Sequence, residues 1–351
     1  MIRKSVQNLE PYTPGEQPKI ANIIKLNTNE NAYPPSPKVL EVMRNFDLNT
    51  LNLYPDPLCT EIREIIASQA GCGIENVFVG NGSDEVLRLA TYAYVEDDDT
   101  IGYFSPSYSL YPVLTAIRAI ESTVLPLPTD EELPCALDKA ELSKKPALFF
   151  VANPNAPTST LFSPEQMRNF CKRNSGVVLI DEAYGAFAEK DCIELALSMP
   201  NVVVCRTMSK AWSLAGIRLG YLIGPADLIE AIYKIKDSYN VNALTQQVAK
   251  AALSDPEWMN ANREKIIATR THIINEQRKL GWECEDSATN FIWCSPPPPE
   301  TAESVKNTLR RHGIIVRYFP GAQTGNYLRI TVGTDKQMDA LLEVLKMKGQ
   351  E

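Results

Sequence analysis

Val202-Val203-Val204-Cys205-Arg206-Thr207-Met208-Ser209-Lys210-Ala211-Trp212-Ser213-Leu214-Ala215-Gly216-Ile217-Arg218-Leu219-Gly220-Tyr221-Leu222-Ile223-Gly224 opens on an apolar run, turns polar around one lysine, and closes on a second apolar run. Short runs that are apolar at successive positions suit strands covered by helices on both faces. Comparable runs occupy 77–80, 100–104, 123–127, 147–152 and 177–181. Between them, stretches such as 84–95 and 164–173 carry helical spacing. Strand–helix alternation of this kind predicts a mostly parallel α/β sheet over residues 77–224.

The pattern changes after Asp255-Pro256. A long helix is predicted over 257–280, stopped by Gly281 as its C-terminal cap. Strand-like runs follow at 291–294, 314–318 and 327–332, which together predict a separate, smaller α+β domain. Residues 296–299 are four consecutive prolines, which have no amide hydrogen for a ladder and belong in a surface loop. The first forty or so residues are polar and turn-rich, more an arm than a domain. The division expected is 1–40 as arm and part of the small domain, 41–250 as the large domain, and 251–351 as the small C-terminal domain. No internal repeat interrupts it.

At 351 residues the chain exceeds the size of a single ordinary core, which agrees with two domains. Hydrophobic residues form 44% and charged residues 22%, a globular balance. No apolar run is long enough to span a bilayer, and the N-terminus has no apolar segment of a secretory signal. A net charge of −8 provides no general footprint for nucleic acid or anionic lipid. The eight cysteines show no C-x-x-C pair and read as reduced thiols of a cytoplasmic protein. Only His272 and His312 are available, so a histidine-based metal site or a Ser-His-Asp triad is hard to build, and no metal is expected.

Chemistry concentrates at the ends of the predicted strands, where open α/β sheets bind their ligands. Lys210 follows one such strand; held in a crevice, a lysine loses its proton and attacks carbonyl carbon. Thr207, Ser209 and Arg218 flank it with hydroxyls and a guanidinium suited to a phosphate. Taken alone, Lys210 also fits a solvated loop. Asp181 closes the buried run 177–181, a costly position unless a cation or strong donor meets it; a protonated pyridine nitrogen is such a partner, and a capped loop is another. Tyr184 lies three residues further on. Gly80-Asn81-Gly82-Ser83-Asp84 links a strand to a helix, a setting that suits an anion at the helix N-terminus but also an everyday turn. Tyr108 follows the strand at 100–104, where it could stack on a planar ring or simply pack.

In this order, with Pro154-Asn155-Ala156-Pro157-Thr158 between them, these elements resemble the fold type I pyridoxal-phosphate-dependent aminotransferases, class II subgroup. The nearest resemblance is to the histidinol-phosphate aminotransferase family, and it runs nearly end to end. It includes Asn8-Leu9-Glu10-Pro11-Tyr12, Leu26-Asn27-Thr28-Asn29-Glu30-Asn31, Tyr54-Pro55-Asp56, Ser238-Tyr239-Asn240-Val241-Asn242 and Leu328-Arg329-Ile330-Thr331-Val332-Gly333. The resemblance implies a large domain with a mostly parallel seven-stranded sheet plus a smaller α+β C-terminal domain. It implies pyridoxal 5'-phosphate held as a Schiff base on Lys210, with Asp181 at the pyridine nitrogen, Tyr184 at the ring oxygen and Tyr108 stacked on the ring. Gly82, Ser83, Asp84, Thr207, Ser209 and Arg218 would surround the phosphate. Tyr54 would reach the cofactor of the neighbouring subunit of a homodimer. Tyr12, Asn29, Tyr239, Arg317 and Arg329 would bind substrate.

The implied reaction moves an amino group between L-histidinol phosphate and 2-oxoglutarate; aromatic or other amino-acid transamination and threonine-phosphate decarboxylation stand as alternatives on the same scaffold. A regulatory protein retaining the fold would carry a basic DNA-binding module, and none is visible. One departure stands out. Many relatives read Pro-Asn-Asn-Pro-Thr-Gly, where the second Asn contacts the ring oxygen, but this chain has Ala156 there. Alanine cannot donate that hydrogen bond, so either Asn155 takes it over or Tyr184 serves alone.

Overall fold

A computed structural model describes residues 1–19, 22–140, 142 and 144–348, without the side chain of residue 348. The last three residues of the 251–351 span therefore lie outside it. Among the described residues twelve strands form two sheets. In chain order they are β1 (Ile24–Leu26), β2 (Val77–Gly80), β3 (Thr100–Ser105), β4 (Glu121–Pro126), β5 (Leu148–Ala152), β6 (Val177–Asp181) and β7 (Val202–Thr207). They continue with β8 (Gly220–Ile223), β9 (Glu283–Cys284), β10 (Phe291–Ser295), β11 (Ile314–Tyr318) and β12 (Leu328–Thr331).

The larger sheet has the order β2-β8-β7-β6-β5-β3-β4. Pairing is parallel from β7 to β4, and only β8 runs against its neighbours β2 and β7. Side-chain alternation explains why the runs are apolar throughout. Phe150, Leu179 and Val203 enter the core on one face, while Phe149, Val178, Ile180, Val202 and Val204 enter another on the opposite face. With period two along each strand, both parities are buried, and each large apolar side chain so buried contributes roughly 1.5–3 kcal/mol. The core beside β2 and β8 also takes Val39, Ile62, Ile66, Val248 and Leu253, so helices on both sides of the sheet in sequence pack against this edge.

The smaller sheet has the order β1-β11-β12-β10-β9. Its strand β1 comes from the N-terminal segment and pairs in parallel with β11. The long helix runs over Pro256–Lys279, and Gly281 follows at φ 82°, the left-handed geometry that ends a helix without Cβ strain. Ile266, Ile273 and Ile274 from that helix pack with Phe291, Leu309, Val316, Ile330 and Leu341; the same cluster includes Ala156, Tyr184 and Ala211 from the larger sheet's loops. The proline run lies in the loop after β10, with Pro298 and Pro299 exposed and Pro296 buried. All eight cysteines are free thiols. Among the described residues no helix is long and apolar enough to cross a membrane, and no cluster of ligating side chains suits a metal ion.

The parallel strands β3, β5, β6 and β7 all finish at one edge, so Ser105, Ala152, Asp181 and Thr207 converge there. A buried ion pair braces that edge. Glu182 Oε2 accepts from Arg206 Nη2 at 2.7 Å and Glu182 Oε1 accepts from the Cys192 amide at 2.6 Å. Arg206 also meets Asp191 at 2.8 Å. Burial pushes the Glu182 carboxyl above its ordinary range even with Arg206 beside it. Removing Arg206 strands a buried carboxylate, whereas removing Glu182 leaves Arg206 paired with Asp191. Arg206→Ala is therefore expected to lower the unfolding free energy by about 3–5 kcal/mol, and Glu182→Ala by visibly less. Urea unfolding midpoints of the two variants give the comparison, and the reverse order would show that the pair is not what braces the edge.

Candidate active site

At the carboxyl edge of the larger sheet, against the smaller sheet, lies a cavity of about 240 Å³. Its wall brings together Tyr12, Asn29, Ser83, Asp84, Tyr108, Asp181, Tyr184, Thr207, Ser209, Lys210, Arg218, Arg317 and Arg329, positions spread over more than three hundred residues of sequence.

Asp181 ends β6, buried. Its Oδ2 accepts from the Tyr111 hydroxyl at 2.9 Å and its Oδ1 from the Ala183 amide at 3.1 Å. Burial raises its pKa to about 6, with both donors pulling it back down. The group is thus an anion at neutral pH, but one that has room for a stronger cationic partner. Tyr111 is a site residue that motif reading missed. It stands three residues after Tyr108, within a helix (Leu110–Arg118) that starts just after it, and this spacing was the available signal.

Lys210 sits in the loop after β7. Its ammonium donates to the Thr28 carbonyl at 3.2 Å and lies 5.8 Å from the centre of the Tyr184 ring. Burial, with Arg329 and Arg218 adding positive potential, lowers its pKa to about 8; Glu30 and Asp84 oppose them. An amine in this range is a nucleophile at physiological pH. Asn31 was also missed: its side-chain amide donates to the carbonyls of Lys210 and Ala211 at 2.9 and 3.1 Å, tying the lysine loop to the N-terminal segment.

On another wall the helix Ser83–Ala93 begins at Gly82, with no side-chain cap for its first amides. Gly82 has φ 85°, and a Cβ there would lie 2.6 Å from Nη2 of Arg218. The left-handed φ is what favours glycine here, and a Cβ would also push the guanidinium aside; the result is a guanidinium laid across a free helix N-terminus, which is an anion cradle. Arg218 Nη2 reaches Asp84 at 3.2 Å and Nη1 reaches Ser209 Oγ at 3.4 Å; Thr207 Oγ1 donates to Ser209 Oγ at 3.0 Å. Tyr108 donates to the other Asp84 oxygen at 3.1 Å and meets the edge of Tyr12 at 5.9 Å between ring centres.

Opposite the cradle stand Arg317 and Arg329, direct cross-strand partners on β11 and β12. Like charges so placed repel. Among the described residues their guanidiniums hydrogen-bond only backbone carbonyls, Arg317 those of Thr13 and Pro14 at 3.2 and 3.4 Å and Arg329 that of Asn27 at 3.1 Å, and both lie over the Phe319 ring. The buried Nε of Arg329 has no hydrogen-bond partner among the described residues. Burial, then the charge of Arg317, holds the Arg329 pKa below its ordinary value.

Four expected residues, Gly82, Asn155, Tyr54 and Tyr239, are not on the wall of this cavity, and one lies on it but is engaged elsewhere. Asn155 is buried, with Nδ2 donating to Pro106 O and Thr158 Oγ1 and Oδ1 accepting from Ser107, while Pro154 and Ala156 face the cavity instead. Tyr54 is 80% exposed and stacks on Tyr239, ring centres 4.3 Å apart, at the surface. Asn29 lines the cavity, but its side chain is bonded to Tyr184 and Thr331. As a set, a buried reactive amine, a buried carboxylate and an anion cradle fit a phosphorylated pyridine aldehyde in charge, donor type and separation into different walls. The paired arginines provide a second anion site beside it.

Residues 21–345 match the family model for aminotransferase class I and II. The chain is 41% identical over 343 residues to histidinol-phosphate aminotransferase 2 of Thiobacillus denitrificans, covering 96% of this chain and 95% of that one. It is 38% identical over 346 residues to histidinol-phosphate aminotransferase 1 of Nostoc sp., covering 98% and 97%. Among solved structures, histidinol-phosphate aminotransferase from Sinorhizobium meliloti in complex with pyridoxal-5'-phosphate aligns with a TM-score of 0.87 at 25% identity, over 99% of this chain and 98% of that one. The chain belongs to the class I and II aminotransferases and, among them, to the histidinol-phosphate aminotransferase family.

Proposed function

We propose that this aminotransferase moves an amino group between L-histidinol phosphate and 2-oxoglutarate, within histidine biosynthesis, with pyridoxal 5'-phosphate as its cofactor. The observation that carries this reading is the cross-strand pair Arg317 and Arg329, unmatched by any carboxylate bond, facing the same cavity as Lys210 and Asp181. A cofactor phosphate occupies one anion site; a substrate with an anion of its own occupies the other.

Pyridoxal phosphate supplies an aldehyde to join to amines and a ring that draws electrons from the substrate α-carbon. The protein's residues do the rest. Lys210 would be the nucleophile that holds the cofactor and the base that moves the α-proton. Asp181, steadied by Tyr111 and the Ala183 amide, keeps the pyridine nitrogen protonated. Arg218, Ser209, Thr207 and the amides of Ser83 and Asp84 hold the phosphate, with Gly82 making room. Tyr108 covers the ring and Tyr184 donates to its oxygen. Arg317 and Arg329 hold the substrate phosphate, with Tyr12 on the same cavity wall as a further donor to it. Orientation rather than new bonds is the main contribution.

The active unit we infer is a homodimer in the cytoplasm, with residues 41–250 as the large domain and 1–40 with 251–351 forming the small one. Support comes from the exposed apolar face around Leu48, Leu51, Leu53 and Leu58, which presents Tyr54 and Tyr239 outward, away from the cavity of their own chain. Eight free thiols fit a reducing compartment.

Lys210 titrating near pH 8 predicts a labelling profile. Its deprotonated fraction rises as pH climbs through about 8, so an amine-directed reagent on cofactor-free protein modifies Lys210 at a rate that levels off above that pH, while exposed lysines still gain reactivity. A rate rising only near pH 10 would mark an ordinary amine. Lys210→Ala is expected to abolish transamination and leave the fold intact, because it removes a nucleophile rather than core volume; circular dichroism and turnover check both halves. The deciding experiment mixes cofactor-loaded protein with L-histidinol phosphate, phenylalanine or O-phosphothreonine and follows the visible absorbance of the bound cofactor. Conversion with histidinol phosphate alone is expected. Equal or faster conversion with phenylalanine would mean that the arginines read a carboxylate, and release of carbon dioxide from phosphothreonine would mean decarboxylation. Arg329→Ala is expected to raise the KM for histidinol phosphate by about tenfold to a hundredfold, the loss of one charge-assisted bond, with a smaller change in kcat.

A further inference from the structure

Tyr184 is held by a buried relay that nothing else in the site requires. Thr331 Oγ1 accepts from the Asn29 amide at 3.0 Å and donates to the Asn29 side-chain oxygen at 3.0 Å. These two bonds orient the side-chain amide of Asn29, whose nitrogen then donates to the Tyr184 hydroxyl at 2.8 Å. Asn29 adopts φ 56°, a left-handed geometry that Asn tolerates better than most residues, and its carbonyl accepts from Asn290 at 3.0 Å. Phe291 meets the Tyr184 ring edge-on at 5.0 Å. Asn29 and Thr331 are both nearly inaccessible to solvent.

The relay assigns proton roles. Because Asn29 donates into the Tyr184 oxygen, the tyrosine's own hydrogen is free for another acceptor, and none of the side-chain bonds among the described residues takes it. The cavity is what it faces. A hydroxyl that accepts one hydrogen bond also donates the next more strongly. The segment that could have offered a second side-chain donor does not: Ala156 has no polar side-chain atom, and Asn155 donates its amide hydrogens to Pro106 O and Thr158 Oγ1 while its Oδ1 accepts from Ser107.

We infer that Asn29 and Thr331 are positioning residues that make Tyr184 the lone side-chain donor to the cofactor's ring oxygen, in place of the amide that position 156 lacks. This rests on the pyridoxal-phosphate reading of the site. A donor at that oxygen stabilises its anionic form, which weakens the hold on the proton of the lysine-bound nitrogen. The spectroscopic pKa of the bound cofactor, read from the pH dependence of its visible band, therefore reports the donor directly.

The experiment compares that pKa in reconstituted wild type, Tyr184→Phe, Asn29→Ala, Thr331→Val, the Tyr184→Phe/Asn29→Ala pair and Asn29→Ala/Ala156→Asn. Tyr184→Phe is expected to raise it by about one unit. Asn29→Ala should raise it by roughly half as much, and Thr331→Val, nearly isosteric, in the same direction. The Tyr184→Phe/Asn29→Ala pair should match Tyr184→Phe alone, because Asn29 acts only through the tyrosine. Adding Ala156→Asn to Asn29→Ala should bring the value back down. An unmoved pKa in both Asn29→Ala and Thr331→Val overturns the relay while leaving the cofactor assignment in place, and so does full additivity in the pair. Failure of the wild type to acquire a visible band with pyridoxal phosphate overturns the relay together with the functional reading. Thermal melts of the cofactor-free proteins separate misfolding from these outcomes, and Thr331→Val carries the test if Asn29→Ala does not fold.

Discussion

A carboxylate at the end of a strand that is apolar on both faces must be met by donors, and everything around Asp181 follows from that requirement. The sheet cannot admit water along its length, since Phe150, Leu179 and Val203 seal one face and Phe149, Ile180 and Val204 the other. Its polar chemistry is confined to the carboxyl edge, where strand ends release their last residues into loops. There Tyr111 and the Ala183 amide satisfy Asp181 only in part, which leaves its pKa near 6 and its charge available to a cation entering from the cavity. The neighbouring residue, Glu182, solves the same problem differently, with Arg206 as a permanent partner. Two adjacent acids thus differ: Glu182 is closed by a permanent cation, and Asp181 stays open to the cavity.

The same logic sets the sign of charge elsewhere in the cavity. Desolvation of the Lys210 ammonium, with Arg329 and Arg218 adding positive potential against Glu30 and Asp84, lowers its pKa to about 8, so that a fraction is a nucleophilic amine at neutral pH. Arg317 and Arg329 repel each other across β11 and β12 and bond backbone carbonyls rather than carboxylates, leaving donors of Arg329 unused. Such an arrangement is costly while the site holds no anion and favourable once one arrives. An overall acidic chain therefore carries a concentrated positive field at one place, where a doubly anionic combination of cofactor and substrate would sit.

Much of this was legible before any coordinates. The apolar runs are long enough to require cover on both faces, so the α/β architecture followed from burial, and the long C-terminal helix with its glycine stop followed from backbone conformation at Gly281. The places of Lys210, Asp181 and Arg218 near strand ends are legible in the sequence, while the roles expected of them come from the resemblance and not from position alone. Tyr111 was not legible, because a helical tyrosine looks the same whether it packs or holds a carboxylate. Asn29 was read as a substrate ligand; the structure turns its side chain toward Tyr184 and Thr331, and the partner at 331 is three hundred residues away in sequence. Asn155 was offered as a substitute donor, but the loop bends its amide into Pro106, Ser107 and Thr158, so adjacency in sequence to Ala156 did not become adjacency in space.

What the sequence by itself determined is therefore local: which segments bury both faces, where helices stop, and which residue types stand at strand ends. Periodicity and backbone preference act over a few residues, and a sequence displays them directly. The tertiary structure decided which polar groups meet. The pairing of β11 with β12 set Arg317 against Arg329, the entry of β1 into the same sheet beside β11 let the segment after it bring Asn29 to Thr331 on β12, and the packing of the lysine loop on the N-terminal segment fixed Lys210. Each depends on strands and loops distant in the chain coming together, and the strength of each interaction depends on how much water that meeting excludes.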